Sequence, residues 1–380
     1  GQFGTRVGGG EDAGQPRYVQ TKLMPYINLI FNKKDNSLYK FNHDDDGKPV
    51  EPEYYMPIIP MLLVNGSKGI GTGWSTDIPC FNPTDIIGTI KTYLDKGMLN
   101  TIHPFYRDFK GKIALKSPNM YECRGVYEIK DSKIIITELP VGVWSDAYKI
   151  YLEKITIDPK NTNKMQILRY YKSYCTDTEA KFELFINDDT IWELNKYNEK
   201  SKMTNLEKVL KLVTTINMNN MIAFDAENKI KKYNNIQEIL LEYIKLRLNV
   251  YIKRKEYLLK TLADEIQLLE LKVRFINEYI EELIIIHKRE EEDIEKQLET
   301  REFPRYDDSF DYLLKLPIKS LSKNKMDELK NILVAKKTEY DFIKSKSNKD
   351  LWIDDLNDLI KTLPKCYNKN KKLFKINKKK

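Results

Sequence analysis

Residues 1–18 read GQFGTRVGGGEDAGQPRY, and the rest of the chain is organised by how that segment ends, with Arg17 set directly before Tyr18. Glycines at positions 1, 4, 8, 9, 10 and 14 speak against a helix and predict a tightly turning loop whose backbone amides can come close to a ligand. Such a loop suits phosphate. Arg6 and Arg17 supply guanidinium forks that match pairs of phosphate oxygens, and Tyr18 supplies a phenol. A phenol, with an ordinary pKa of roughly 10, attacks poorly at neutral pH until a cation or a base assists it. Arg17 is placed to be that cation. The chain has 24 tyrosines, and a tyrosine taken alone is more often a packed or exposed ring than a nucleophile, so the weight given to Tyr18 rests on its surroundings.

Outward from Tyr18, VQTKLMPYINLIF (19–31) spaces Leu23, Tyr26, Ile27 and Ile30 as one buried helical face, with Pro25 working against a continuous helix. The polar stretch 32–50 holds Asp44, Asp45 and Asp46, which invite a metal; the run lacks the alternating ligands and downstream glutamate of a calcium loop, so a surface turn is expected. PIIPMLLVNGSKGIGTGW (57–74) then reads as an apolar, strand-like run released into a glycine-rich loop. In a phosphate loop of the nucleotide-binding type Ser or Thr follows the lysine, whereas Lys68 is followed by Gly69. Ile70 is either a buried loop residue or an apolar wedge able to enter between base steps.

Residues 81–235 alternate between the two periodicities. NPTDIIGTIKTYL (82–94) starts a helix with Asp85 near its N-terminus, and KIIITEL (133–139) is a β-branched strand ended by Pro140. Trp144 follows that strand, where an indole is a core plug or a nucleic-acid contact. KVLKLVTTIN (208–217) is expected to start a helix with Lys208 and Lys211 on one face and Thr214 and Thr215 able to donate to phosphates; taken alone it is a solvated face. From Ile236 a long helix sets Leu258, Leu262, Ile266, Leu269, Val273, Ile276, Ile280 and Leu283 at intervals of three or four, the seam of a coiled coil. Met326, Leu329, Leu333, Tyr340 and Ile343 continue it on a second helix, and Leu356, Leu359 and Leu363 on a third, so the helices must return antiparallel. Between them FDYLLKLPIKSLS (310–322) presents Tyr312, Leu313, Leu314 and Leu316, too apolar for a free tip, and a partner is expected to cover them.

The motifs GQFGTR, GG-x-D-A and PRY, followed by VEPEYYMPIIPMLLVNG (50–66) and KGIGTGWSTDIP (68–79), resemble the breakage-reunion region of eukaryotic-type (type IIA) DNA topoisomerase II. The resemblance runs from Gly1 to about Trp352 and sides with the eukaryotic or large-virus branch. It implies a multidomain α+β fold: the end of a winged-helix domain with the catalytic tyrosine (1–57), an α/β tower domain (58–235), a long antiparallel coiled coil with a helical gate (236–363) and a basic tail (364–380). It implies that Tyr18 attacks a DNA backbone phosphate, that Arg17 stabilises the charge that develops, and that Ile70 kinks the duplex. Trp144, Arg6, Lys208, Lys211, Thr214 and Thr215 are its expected DNA contacts. Double-stranded DNA, a homodimer closed through the gate, action in the nucleus, and Mg2+ and ATP bound upstream of this segment also follow from the resemblance. Glu11 stands where GGKD would have a lysine, and Gly142 where a basic residue is common.

Composition bounds these readings. A chain of 380 residues predicts two to three domains, and no apolar run approaches a membrane span. It opens without methionine inside a motif, so an upstream part is expected. Cys80, Cys123, Cys175 and Cys366 are too scattered for a zinc knuckle, as are His43, His103 and His287, and they point to a reducing compartment. The net charge of +8 sits at the end: residues 364–380 carry eight lysines and no acids, and the 64 basic residues less these eight equal the 56 acidic ones. DNA affinity must therefore come from local patches, with the tail either a solvated end or a DNA-affinity or nuclear-import segment. Two other classes compete. A coiled-coil scaffold without chemistry explains none of residues 1–76, and a nucleotide-hydrolysing machine would need GSKGIGTG (66–73) to bind ATP.

Overall fold

The structure, a computed structural model, describes residues 3–130, 133–157, 166–199, 202–317 and 323–363. The tail 364–380 and the end of FDYLLKLPIKSLS from residue 318 lie outside the described residues. Pro16–Tyr18 form a single 3-10 turn, and the helix expected over 19–31 shrinks to α1 (Ile27–Ile30). Pro25 wins there, because proline disfavours the helical region for the residue before it; Leu23 and Met24 are left exposed. β1 (Phe41–His43) and β2 (Pro49–Pro52) pair across the acidic turn, where Asp44 Oδ1 accepts from the Asp46 and Lys48 amides at 3.0 and 2.8 Å.

The run expected as a strand is a helical turn, α2 (Met61–Asn65), entered from Pro60 and ended by Gly66 at φ +68°. Short apolar runs fit helix and strand alike, and the flanking Pro and Gly decide. The glycine-rich loop is a hairpin of β3 (Ser67–Gly71) and β4 (Trp74–Ile78). α3 (Pro83–Lys96) follows its sequence signals: Asn82 Oδ1 accepts from the Thr84 amide at 2.9 Å, Pro83 opens the helix and Gly97, left-handed, closes it.

Next come β5 (Lys112–Ser117), β6 (Met120–Arg124), β7 (Val126–Lys130), β8 (Lys133–Glu138), α4 (Ser145–Ile155), β9 (Leu168–Ser173), β10 (Phe182–Ile186) and α5 (Asp188–Leu194). The short pair β11 (Tyr197–Asn198) and β12 (Met203–Thr204) leads to α6 (Asn205–Val209), β13 (Val213–Asn217), β14 (Met221–Phe224) and β15 (Ile230–Tyr233). One antiparallel sheet is ordered β7-β8-β10-β9, another β13-β6-β5. Alternation along β8 and β10 turns Ile134, Ile136, Phe182 and Leu184 inward onto Tyr148, Leu152 and Ile155 of α4, forming the main core of this part. The helix start expected at 208–217 is instead the end of α6, which the Thr204/Glu207 capping box opens, and then a strand. Four successive β-branched residues, Val213 to Ile216, suit a pleated strand better than a helix.

The chain ends in α7 (Ile236–Ile280), α8 (Glu291–Thr300), α9 (Asp311–Leu314), α10 (Lys323–Ser345) and α11 (Asn348–Thr362). Glu265 meets Lys336 and Glu270 meets Lys337, both at 2.6 Å, while Lys255 Nζ donates to the Lys344 and Lys346 carbonyls. Lys255, earlier on α7, meets residues 344 and 346, whereas Glu265 and Glu270, later on it, meet 336 and 337, so α7 and α10 run antiparallel. Of the expected seam, Leu262, Val273, Ile276 and Ile343 are buried, but Ile280 and Leu283 are exposed because α7 ends at Ile280.

Packing separates two compact units among these residues: 3–32, 57–246 and 356–363 form one, and 33–56 with 247–355 form the other. Residues 33–56 go with the long helices for an ionic reason. Asp35, without exposed surface, accepts from Arg254 at 2.6 Å through both oxygens and from Arg247 at 2.7 Å; Arg254 also pairs with Asp355 at 2.6 Å. Tyr251 lies between the two guanidinium groups, 4.5 and 4.3 Å from its ring centre, stacks on Trp352 and donates to Asp355 at 2.7 Å.

In the same unit Leu313 is buried, and Tyr312, Leu314 and Leu316 pack partly buried against a core of Phe275, Ile276, Ile284, Ile294, Leu298, Phe303 and Phe310. The Tyr312 hydroxyl donates to the Pro304 carbonyl at 2.8 Å. The apolarity that suggested an outside cover is thus largely spent within the chain. Among the described residues no helix is long and apolar enough to cross a membrane.

Candidate active site

Tyr18 closes the turn opened by Pro16, whose fixed φ suits a first helical position; the Tyr18 amide donates to the Gln15 carbonyl at 2.9 Å and the Val19 amide to that of Pro16 at 3.3 Å. The turn is too short to bury anything, and Tyr18 is 74% exposed, with Arg17 exposed beside it. Among the described residues neither side chain has an ion-pair or hydrogen-bond partner. A phenol and a guanidinium are thus presented together to solvent, where an anionic ligand can reach both.

The loop before the turn is ordered. Asp12 accepts from the Thr5 amide at 3.1 Å and from the Thr5 hydroxyl, which holds its carboxyl below the usual carboxylate range. Arg6 and Trp144, expected as DNA contacts, are brought together by the fold and carry protein partners. The Arg6 guanidinium donates to the Val143 carbonyl at 2.5 Å, the Leu139 carbonyl at 3.3 Å and Glu138 at 3.4 Å, and stacks 5.2 Å from the centre of the Trp144 ring. Trp144 in turn lies against Gly9, where φ is +68° and a Cβ would fall inside the indole.

Ile70, on the β3/β4 hairpin, is 93% exposed and paired in register with Ser75. The hairpin's base is fixed to β14: the Asp77 amide donates to the Asn220 carbonyl at 2.8 Å, Thr76 Oγ1 donates to the Ile222 carbonyl at 2.7 Å, and Asn220 Nδ2 donates to Ser75 Oγ at 3.0 Å. Trp74 covers Gly71 and meets Phe224 edge-on at 6.4 Å. Sequence reasoning misses Trp74, Asn220 and Phe224; a register for 220–224 beside 74–77 is the signal needed, and no local pattern contains it.

Lys208 and Lys211 are exposed at the end of α6, with Lys211 Nζ 3.8 Å from the centre of the Tyr151 ring. The threonines divide, because neighbours on a strand face opposite ways. Thr215 is outward, whereas Thr214 pairs with Cys123 and its hydroxyl is buried, so its expected donation to a phosphate is not available as the strand stands. Among the described residues no three His, Cys, Asp or Glu side chains converge as metal ligands.

An exposed phenol beside an exposed guanidinium on an ordered glycine loop, a hairpin with an exposed apolar tip and exposed lysines at a helix end thus lie within one chain. The chain belongs to the DNA gyrase/topoisomerase IV A-subunit family, whose model matches residues 1–357. It is 37% identical over 392 residues to DNA topoisomerase 2-alpha of Gallus gallus, covering 96% of this chain and 25% of that protein. It is 36% identical over 401 residues to DNA topoisomerase 2-alpha of Homo sapiens, covering 96% and 26%, and 35% identical over 373 residues to the mitochondrial DNA topoisomerase 2 of Dictyostelium discoideum, covering 96% and 28%. The crystal structure of the Plasmodium falciparum topoisomerase II DNA-binding, cleavage and re-ligation domain superposes with a TM-score of 0.81 at 31% identity, over 95% of this chain and 52% of that one. The chain thus spans about a quarter of the length of the three topoisomerase 2 relatives.

Proposed function

We propose that this chain is the tyrosine-bearing part of a type II DNA topoisomerase, which breaks a duplex, passes a second duplex through the gap and rejoins the first. The observation that carries the reading is the exposed Arg17–Tyr18 pair on its ordered loop, in a chain of this family. The Tyr18 oxygen attacks a backbone phosphorus; the new bond joins tyrosine to the 5′ phosphate, the bond to the 3′ oxygen breaks, and that oxygen leaves as a hydroxyl. The reverse attack restores both. Because one phosphoester replaces another, the strand's bond energy is kept while the break is open. The Arg17 guanidinium offsets charge on the phosphate oxygens as they crowd the phosphorus. Ile70 enters a base step and bends the duplex, with Lys208, Lys211 and Thr215 along the backbone path.

In this reading residues 1–57 complete a winged-helix domain, 58–235 are the tower, and 236–363 are the coiled coil that closes a homodimer at its knob. Exposed Ile280, Leu283 and Ile285 are the apolar surface left there. Mg2+ and ATP belong to other parts of the protein. Nuclear action is part of the reading, although the Dictyostelium discoideum relative is named as mitochondrial.

The test is covalent capture of end-labelled duplex by the full-length protein. Tyr18→Phe should abolish capture and leave non-covalent binding unchanged, since only the attacking oxygen is lost; capture that persists would move the nucleophile elsewhere. Ile70→Ala should widen the end-to-end distance of a dye-labelled duplex, because unstacking costs a few kcal/mol that the wedge normally offsets. An unaltered distance would remove Ile70 from the bend.

A further inference from the structure

We propose that Thr76 and Asn220 are positioning residues for Ile70, a clamp that sets which way the isoleucine faces; the clamp's role rests on the reading of Ile70 as the wedge. A two-stranded hairpin is marginal in water by itself, so β3 and β4 need support from the rest of their unit. The pairing of Gly71 with Trp74, Gly69 with Thr76 and Ser67 with Ile78 puts these residues on one face of the hairpin. Its glycines carry no side chain, so β4 supplies most of that face: Thr76 and Ile78 are buried, and Trp74 lies over Gly71 and against Phe224. Lys68, Ile70, Ser75 and Asp77 share the opposite face, where Ile70 stands exposed beside the Lys68–Asp77 ion pair at 3.9 Å.

The clamp is a set of hydrogen bonds to residues 220–222. β14 is laddered to β15, and Thr76 serves it from β4: the threonine hydroxyl donates to the Ile222 carbonyl at 2.7 Å and accepts from the Ile222 amide at 3.2 Å. The Asn220 carbonyl accepts from the Asp77 amide at 2.8 Å, and Asn220 Nδ2 donates at 3.0 Å to Ser75, the residue directly across from Ile70. Positions 75, 76 and 77 are thus gripped in turn. A strand that slips by one residue exchanges its two faces, so a grip on register is also a grip on whether Ile70 points outward. Opening a stacked base step loads the side chain that enters it, and a hairpin free to pivot yields before the bases do. Thr76 is only 7% exposed, so its hydroxyl acts through the hairpin and not on DNA.

The experiment uses the full-length protein with Thr76→Val, Thr76→Ser and Asn220→Ala beside Ile70→Ala. It reads the end-to-end distance of a dye-labelled duplex at saturating protein, and amide exchange over residues 67–78 and 220–224 without DNA. Thr76→Val keeps the shape of the side chain and deletes both bonds to Ile222. Exchange of the Ile222 and Asp77 amides should quicken about tenfold, as loss of a hydrogen bond implies. The end-to-end distance should rise through most of the interval between wild type and Ile70→Ala. Thr76→Ser, which keeps the hydroxyl, should bring both readings back. Asn220→Ala loses only the reach to Ser75 and should lengthen the distance by a smaller step; it carries the test if Thr76→Val unfolds the unit, and a wild-type distance there would then overturn the clamp. In the double variant Ile70→Ala/Thr76→Val the distance should equal that of Ile70→Ala alone, because a clamp without its wedge has nothing to aim. Additive lengthening would mean that Thr76 acts by another route and would overturn the proposal. So would quickened exchange with a wild-type distance, or exchange that stays slow in Thr76→Val. A wild-type distance in Ile70→Ala would instead overturn the wedge, and the positioning role with it, while the exchange rates still report whether Thr76 holds the hairpin.

Discussion

Arg17 and Tyr18 stand in water, whereas Arg247, Tyr251 and Arg254 carry the same two functional groups in a setting from which water is removed. In the first, the phenol and guanidinium are adjacent in sequence and committed to nothing. In the second, two guanidinium groups clasp the ring of Tyr251, and every approach is closed by Asp35, Asp355 and Trp352. Burial is the largest influence on the Tyr251 phenol and pushes its pKa well above the ordinary value, the guanidinium groups only partly opposing it. Burial works against the charge of Arg254 too, but its hydrogen bonds to Asp35 and the charges around it outweigh that and hold it cationic. The contrast teaches that an arginine beside a tyrosine is not in itself a reactive site. Reactivity needs the pair left unspent, and the buried pair is spent on holding residues 33–56 to the long helices.

The comparison is tested most strongly by removing the shared anion. Asp35→Ala leaves two guanidinium groups buried with Asp355 alone, and loss of one partner of a buried pair costs about 3–5 kcal/mol. The urea midpoint of this unit should fall accordingly, while Tyr18→Phe should leave it where it was. A small shift for Asp35→Ala would mean that water reaches the node and that the two sites differ less than their geometry implies. Tyr251→Phe is a narrower probe. It keeps the ring between the guanidinium groups and deletes only the donation to Asp355, so a loss of about 1–2 kcal/mol is expected. A loss as large as that of Asp35→Ala would place the node's weight on the hydroxyl.

The two regions also differ in how far the sequence discloses them. The turn at Pro16–Tyr18 and the capped helix α3 depend on neighbours a few residues away, and their signals are all local. Asp35 sits in NKKDNSLYK, which reads as a polar surface stretch; its burial depends on arginines more than 200 residues later, |i−j| of 212 and 219. Arg6 and Trp144 are legible as special but not as partners, because what joins them is the end of β8 arriving 132 to 137 positions on. Thr214 is misread from sequence because its facing follows from strand register, which emerges only once Cys123 is found opposite it. Tyr312 and Leu314 read as needing a partner because their own chain's cover, Phe275 and Phe303 among it, is supplied by other elements.

A third phenol lies between these extremes and gives the smallest effect. Tyr121 is buried on β6, and its hydroxyl is 2.9 Å from His103 Nδ1, with the imidazole edge-on to the ring at 5.6 Å. Burial is the main influence on His103 and lowers its pKa below the ordinary value, the charge of Asp85 opposing this in part. In the unfolded chain the imidazole takes a proton near pH 6.5, before the folded one does, so the unfolded state binds more protons as the pH falls below that point. Stability should therefore be fully present above about pH 6.5 and decline as the pH falls toward the depressed folded value. The imidazole is partly exposed and solvent screens it, so the decline is small. Urea midpoints at several pH values between about 7 and 5 should fall less steeply in His103→Gln than in the wild type. Parallel lines would show that His103 titrates alike in both states, and that this half-buried pair behaves like the exposed one at Tyr18 rather than the enclosed one at Tyr251.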